Sequence, residues 1–355
     1  MKSTIVTLFL TFPMILNASG PSAEELALAK ARRYGAQAKE CLRVVDQDGM
    51  PVADARIWGG LQTGEGYNDF IPIQGNTNTN GEYTVKGKCN DRLTLRITKA
   101  GYYKTDFELS YSNTAAIPKV KDGKWQPYGY SRQVSLKKII APVNLTHPNP
   151  KRKQNPDVSA WHGYDLEQCE WLPPHGRGRH ADMLVRINVE ASAAHDFKAF
   201  MEISFTNNPF AGAYLLKKDP YSEMQSIYKA DTNAVYQTSL EYLHEEHPII
   251  HREPIVYVQG VNKTDTRLDR DSYLVFRTRT KIDNDGNLVS AHYGKIYGPW
   301  EIFRSMHAYG VYFNPKENDT NLEDIETAEH SRMLQRQREE NEQSQKKKLT
   351  KLWPF

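Results

Sequence analysis

The stretch from Cys41 to Leu109 constrains the fold more than any other part of the chain, because short alternating runs there are separated at close intervals by residues that force turns. Leu42-Arg43-Val44-Val45 runs into Asp46-Gln47-Asp48-Gly49, and after Met50-Pro51-Val52 the chain resumes as Ala53-Asp54-Ala55-Arg56-Ile57-Trp58. An apolar run, an Asp/Gly turn and a second alternating run predict a β-hairpin in which Gly49 supplies a positive φ and Pro51 presets the exit. A second turn cluster, Thr77-Asn78-Thr79-Asn80-Gly81, precedes Glu82-Tyr83-Thr84-Val85, whose period of two turns Tyr83 and Val85 to one face. Leu93-Thr94-Leu95-Arg96-Ile97 repeats that period, Gly101 breaks it, and Tyr102 to Leu109 carries Phe107 and Leu109 on one face. Several short strands between turn signals predict a β-sandwich.

The series Asp46, Gly49, Pro51-Val52, Ala55 and Ile57, then Thr77-Asn78, Gly81 and Tyr83, then Leu95, Ile97 and Gly101-Tyr102 resembles the carboxypeptidase regulatory-like domain. The resemblance covers about a fifth of the chain. It implies a seven-stranded, Ig/transthyretin-like sandwich of roughly 70 to 90 residues, an ordinary size for a small β domain. It also implies a non-catalytic attachment, common in secreted and envelope proteins, so no catalytic residue carries over. Gly59 to Gly75 departs from the family pattern: it is longer, rich in Gly and aromatic residues, and reads as an extended hairpin or a contact loop.

With 355 residues, 39% of them hydrophobic, the chain is long enough for two domains with real cores. Its net charge of +3 gives no footprint of a nucleic-acid binder. Met1-Lys2, the apolar run Ile5 to Leu16 and the small residues Asn17-Ala18-Ser19-Gly20 predict a secretory signal peptide over 1–20, with no lipobox cysteine and no transmembrane segment. The expected order is then a helix over 23–40 with Ser22 as N-cap, the sandwich over 41–140, a Pro/Lys-rich linker over 141–157, a β-rich mixed α+β domain over 158–315, and a charged helix or tail over 316–355. The fold class is mainly β. Within the second domain, strands are expected at 183–189, 199–205, 255–258 and 273–279. Asp283-Asn284-Asp285-Gly286-Asn287 predicts a hairpin, and helix is expected from Pro220 to Leu243.

Three cysteines leave one unpaired. Cys41 and Cys89 are expected at one end of the sandwich, where a disulfide would contribute ~2–4 kcal/mol; two buried free thiols are the alternative. The densest polar cluster is the loop from Trp161 to Asp182, directly before a strand. Its candidate ligand-binding residues are Trp161, His162, Tyr164, Asp165, Trp171, His175, His180 and Asp182. Three readings stand for it: a zinc site, for which the spacing matches no closed pattern; contact with a ligand or glycan through Trp161, Tyr164 and Trp171; and a structural loop pinned by tryptophans. His244-Glu245-Glu246-His247-Pro248 lacks the i, i+4 histidines of a zinc-protease helix, so no metal and no cofactor is assigned. The aromatic runs 292–303 and 309–315 read as strands closing a core, with an aromatic platform for sugars as the alternative.

The expected function is that of a secreted or periplasmic, non-enzymatic binding or structural protein whose partner is a glycan or an envelope or extracellular protein. The alternative is an exported hydrolase, metal-dependent or not, with its site in the 161–182 loop. No catalytic residue is assigned.

Overall fold

The computed structural model describes residues 21–64, 66, 69–148, 153–156, 160–193, 196–247, 250–251, 255–258, 271–298, 301–302, 305–307 and 310–352. The expected signal peptide and the terminal Trp353-Pro354-Phe355 lie outside these residues, as do parts of the expected linker and of the 299–309 run. The protein is mainly β, in several sheets, with a short first helix and a long last one. No helix among the described residues is long and apolar enough to cross a membrane.

Helix α1, Ala23–Tyr34, starts on a capping box: the Glu25 amide donates to Ser22 Oγ at 3.2 Å and the Ser22 amide to Glu25 Oε2 at 2.7 Å. The helix ends at Tyr34 rather than reaching residue 40, because Gly35 takes φ +77° and the chain passes into a strand.

The first body is a sandwich of β1 Ala36–Val45, β2 Arg56–Gln62, β3 Phe70–Asn76, β4 Glu82–Cys89, β5 Arg92–Thr98, β6 Thr105–Ser110, β7 Val120–Lys121, β8 Lys124–Trp125 and β9 Tyr130–Ser135. The short pair β7 and β8 is added to the seven strands expected. One sheet runs β4-β1-β8-β7, with β9 also paired to β1; the other runs β3-β2-β5-β6. Leu42, Val44, Val85, Trp125 and Val134 from the first sheet meet Ile57, Leu61, Leu95, Ile97 and Phe107 from the second. Each such apolar side chain contributes about 1.5–3 kcal/mol on burial.

Two sequence expectations fail in this body, both for reasons of register. The Asp46 to Gly49 turn forms, with Gly49 N donating to Asp46 O and Asp46 N to Met50 O. Val45 and Pro51 bridge antiparallel across it, with Val52 N donating to Val44 O, but the pairing stops there: β2 belongs to the other sheet, so the short hairpin leads into a corner between sheets and does not pair β1 with β2. The Cys41–Cys89 disulfide is also corrected: Cys41 lies opposite Thr84 and Cys89 opposite Ala36. Five residues of offset amount to about 17 Å at ~3.4 Å per residue, far beyond the Cα separation a disulfide spans. All three cysteines are free.

The second body comprises β10 Lys153–Gln154, β11 His162–Asp165, β12 Glu170–Trp171, β13 Met183–Ala193, β14 Asp196–Ser204, β15 Gly212–Lys217, β16 Ser239–His247, β17 Ile250–His251, β18 Ile255–Val258, β19 Ser272–Ile282, β20 Leu288–Tyr297, β21 Glu301–Ile302, β22 Ser305–His307 and β23 Val311–Phe313. Its larger sheet runs β12-β11-β13-β14-β16-β17, with β18 also on β16, and faces the sheet β15-β19-β20-β23. Val185, Ile187, Met201, Ile203 and Leu240 pack against Leu274, Phe276, Ile296 and Phe313. Tyr273 and Val275, on the opposite face of β19, join a further cluster with Tyr293 and Leu322. Burial on both faces explains why 273–276 is continuously apolar. The expected hairpin is β19–β20, closed by Asp283, whose Oδ1 accepts from the Asp285 and Asn287 amides.

No helix forms at 220–243. Residues 221–223 instead run beside the outer edge of β6, with Asp106 N donating to Tyr221 O at 2.8 Å and Glu223 N to Lys104 O at 3.0 Å, and 239–247 is β16. His244 to His247 therefore lies on a strand, which removes the helical premise of a zinc-protease motif.

The two bodies are joined by more than the chain between them. Glu323, 1% exposed, accepts from Ile140 N and Ala141 N, each at 2.7 Å, and from Tyr103 Oη at 3.1 Å. The proline-containing segment read as a linker is bonded along its first part: Val143 N donates to Glu323 O, and Thr146 and Phe313 exchange backbone hydrogen bonds. Helix α2, Ile325–Leu352, is capped by Asp324, whose Oδ2 accepts from Thr327 N at 2.9 Å. Its docked part buries Ala328 and Ser331, and Gln335 Nε2 donates to the carbonyls of Lys99 and Tyr102 in the first body. Beneath this junction Lys295, 2% exposed, donates to Ser226 Oγ at 2.9 Å and Leu322 O at 2.7 Å. Its ammonium lies over Tyr312 at 4.9 Å and Tyr297 at 5.3 Å.

Candidate functional site

The 161–182 loop leaves β11, turns at 166–169, returns through β12 and enters β13. Asp165 and Asp182 bracket it, both fully buried. Asp165 Oδ1 accepts from the amides of Glu167 at 3.0 Å and Gln168 at 3.1 Å, and Oδ2 from those of Arg179 at 2.8 Å and His180 at 3.1 Å. Asp182 Oδ2 accepts from Leu166 N at 2.9 Å. A carboxylate that accepts several amides fixes loop backbone, and here two of them fold one loop onto itself.

The charge of both carboxylates is answered by Arg279. Its Nε donates to Asp182 Oδ1 at 2.8 Å, Nη2 to Asp182 Oδ2 at 2.9 Å and Asp165 Oδ1 at 3.3 Å, and Nη1 to Glu167 Oε2 at 2.5 Å. The guanidinium also lies 4.4 Å from the centre of the Phe313 ring. Arg279 reaches inward from an irregularity in β19, where the register shifts between Thr278 and Lys281 and its own φ is +48°. Bulges re-aim side chains in this way. Burial pushes the Asp182 carboxyl upward, and the paired guanidinium and the Leu166 amide pull against that rise.

The other residues proposed for this loop divide sharply. Tyr164 and Trp171 are core residues, 2% and 1% exposed, in edge-to-face contact with ring centres 5.0 Å apart. The ligand-contact role expected for Tyr164, Asp165, Trp171 and Asp182 is thus replaced by a structural one: two lack exposed surface, and two have their oxygens occupied by the chain itself. Cys169 is buried as well, and burial pushes its thiol up to about 12, so no thiolate is offered. Trp161 remains exposed, with the Arg186 guanidinium 4.7 Å above its ring. His162 and His175 come together, ring centres 4.7 Å apart, while His180 engages the knot through its backbone, its amide donating to Asp165 Oδ2 and its carbonyl accepting from Asp182 N. Among the described residues no three potential ligands are arranged to hold a metal.

A second polar cluster, unremarked in the sequence, lies on the first body. A concavity of about 450 Å³ opens where the edge strands β3 and β4 approach, lined by Lys39, Pro72, Ile73, Gln74, Tyr83, Thr84 and Lys86. Gly75 makes room for the Tyr83 ring, since a Cβ there would fall 2.4 Å from it. Burial pushes the Tyr83 phenol upward and keeps it a neutral donor. Lys39 and Lys86 are cross-strand partners, and Gln37 lies between Lys88 on β4 and Lys124 on β8. Alternation along β1 turns Ala36, Ala38, Glu40 and Leu42 inward, so the four lysines share the outer face. No carboxylate among the described residues pairs with any of the four. These lysines are far apart in sequence; only strand register assembles them.

No family model matches the chain, and no curated protein does. Among solved structures, it is similar to a 3-chlorocatechol 1,2-dioxygenase from Rhodococcus opacus, at 17% identity and TM-score 0.24 over 30% of this chain and 62% of that one. It spans less than two thirds of that enzyme's length. It is similar also to the shaft pilin SpaA from Lactobacillus rhamnosus, at 12% identity and TM-score 0.20 over 72% of this chain and 92% of that one. A third likeness is to a putative carbohydrate binding protein from Bacteroides uniformis, at 9% identity and TM-score 0.16 over 78% of this chain and 98% of that one. At such TM-scores these likenesses carry no argument about what this chain does.

Proposed function

We propose that the chain is an exported, non-enzymatic structural and binding protein, in which a carboxypeptidase regulatory-like sandwich is held by a second β body and presented to a glycan or envelope partner. The observation that carries this reading is the state of the acids in the 161–182 loop. Asp165 and Asp182 are fully buried, and their oxygens are taken up by five backbone amides and Arg279. A general acid or base must reach substrate, and neither carboxylate does. Export rests on the sequence pattern of residues 1–20.

The test is a panel of chromogenic esters, glycosides and peptides, incubated with the full chain with and without added zinc, alongside a panel of immobilised polysaccharides. Retention on polysaccharide with no turnover is the expected result. Turnover that disappears in a His162→Ala/His175→Ala variant would overturn the reading in favour of a hydrolase.

A further inference from the structure

We propose that the concavity between β3 and β4, with the lysine face beside it, binds an acidic polysaccharide: a chain of sugar hydroxyls bearing carboxylate or sulfate groups. This rests on the non-enzymatic binding reading above and names the ligand class.

Like charges placed directly opposite on neighbouring strands destabilise a sheet. Lys39 and Lys86 are such a pair, and Lys88 and Lys124 flank Gln37 one register step further along the same face. A purely structural surface would relieve this repulsion with an acid, as β6 does where Asp106 receives both Arg96 and Lys104. The outer face of β1 and β4 has its acid only at the far end, where Glu82 lies opposite Arg43. Neighbouring strands are ~4.8 Å apart and alternate residues ~6.8 Å apart, so the ammonium groups form a row able to meet a repeating anion.

The remaining lining selects among polyanions. Gln74 and Thr84 offer an amide and a hydroxyl, and Tyr83 a neutral phenol, all suited to sugar hydroxyls. The volume falls within the roughly 300–1,000 Å³ of small-ligand sites. No exposed ring in the concavity offers a platform for base stacking, on which single-stranded nucleic-acid binding depends. Tyr128 and Tyr130 lie beyond it, exposed and beside Lys124 and Arg132, which makes a single-stranded nucleic acid the competitor the test must carry. An acidic peptide that added as a strand to β3 would meet Pro72, which has no N–H to give.

The experiment is calorimetric titration of the full chain with polygalacturonate, dextran sulfate, neutral dextran, poly-dT and polyglutamate. The proposal expects binding to one or both acidic polysaccharides, weakening with salt, and none to neutral dextran; the two acidic arms separate carboxylate from sulfate recognition. Lys39→Gln/Lys86→Gln should weaken it about tenfold or more with the unfolding midpoint unchanged, while Lys316→Gln, remote from the face, leaves it intact. Equal binding by the double variant, tighter binding of poly-dT or polyglutamate, or no binding to either acidic polysaccharide overturns the proposal. Those results leave the non-enzymatic reading standing, whereas release of reducing ends from the polysaccharide would sink that reading while the lysine site remained.

Discussion

Two polar clusters of this protein contrast in how their charges are answered. In the 161–182 loop, three acids meet one arginine and nearly every oxygen has a donor within the chain. On the outer face of β4, β1 and β8, four lysines stand together with no acid among them. The first was prominent in the sequence and is a knot; the second was inconspicuous and is open. Richness in titratable residues is therefore a poor guide to a binding surface, and the balance of charge left unanswered is a better one.

That contrast breaks first at Arg279. Replacing it with Met leaves Asp165 and Asp182 buried without their countercharge, so urea denaturation should show a loss of about 3–5 kcal/mol. Lys39→Gln/Lys86→Gln, by comparison, should stay within about 0.5 kcal/mol of the parent or gain slightly. A near-neutral Arg279→Met would mean that the loop is not held as described.

Glu323→Ala comes next. It removes the acceptor of the Ile140 and Ala141 amides and of the fully buried Tyr103 hydroxyl, the last at about 1–3 kcal/mol for a buried group left unsatisfied. Amide exchange at Ile140 and Ala141 should speed up selectively, and unchanged exchange would show that the joint does not depend on this carboxylate.

A third effect is one of pH. Burial pushes the Lys295 ammonium down to about 7, against an ordinary lysine value near 10.5. Between these values the unfolded chain binds the proton and the folded chain does not, so stability rises with pH above about 7 and is lost as pH falls toward it. Denaturation midpoints from pH 7 to 9.5 should rise in the parent and stay flatter in Lys295→Met. Above that range the trend reverses, because the phenols of Tyr103, Tyr273 and Tyr312 are pushed upward by burial and resist ionisation in the fold.

The smallest effect is chemical. Native alkylation should label half-buried Cys41 ahead of Cys89 and Cys169, whose thiols burial pushes up to about 12. Unfolding without reductant should then expose three alkylatable thiols, and a crosslinked pair would contradict the β1–β4 register.

What could be read from the sequence was what is local. The β19–β20 hairpin is written in Asp283 to Asn287, and the α1 cap in Ser22 and Glu25, because in each the deciding contacts lie within a few residues. What could not be read depends on register or on distant surfaces. The Asp46 turn has the same chemistry whether its hairpin continues or gives way to a corner between sheets. The separation of Cys41 from Cys89 follows only from how β1 meets β4. The 220–238 segment carries helix-compatible residues, yet its course is set by the β6 edge and the junction. Arg279 left a faint signal, an arginine at the end of an apolar strand, but the bulge that turns it inward is invisible in composition.

Pro72 has a consequence of its own. The β2–β3 register places it opposite Gly60, between pairs whose amides face β2, so its missing N–H falls on the outward rim of the sheet. A foreign strand laid along that rim meets an interrupted seam instead of a continuous template, which blunts edge-to-edge pairing there.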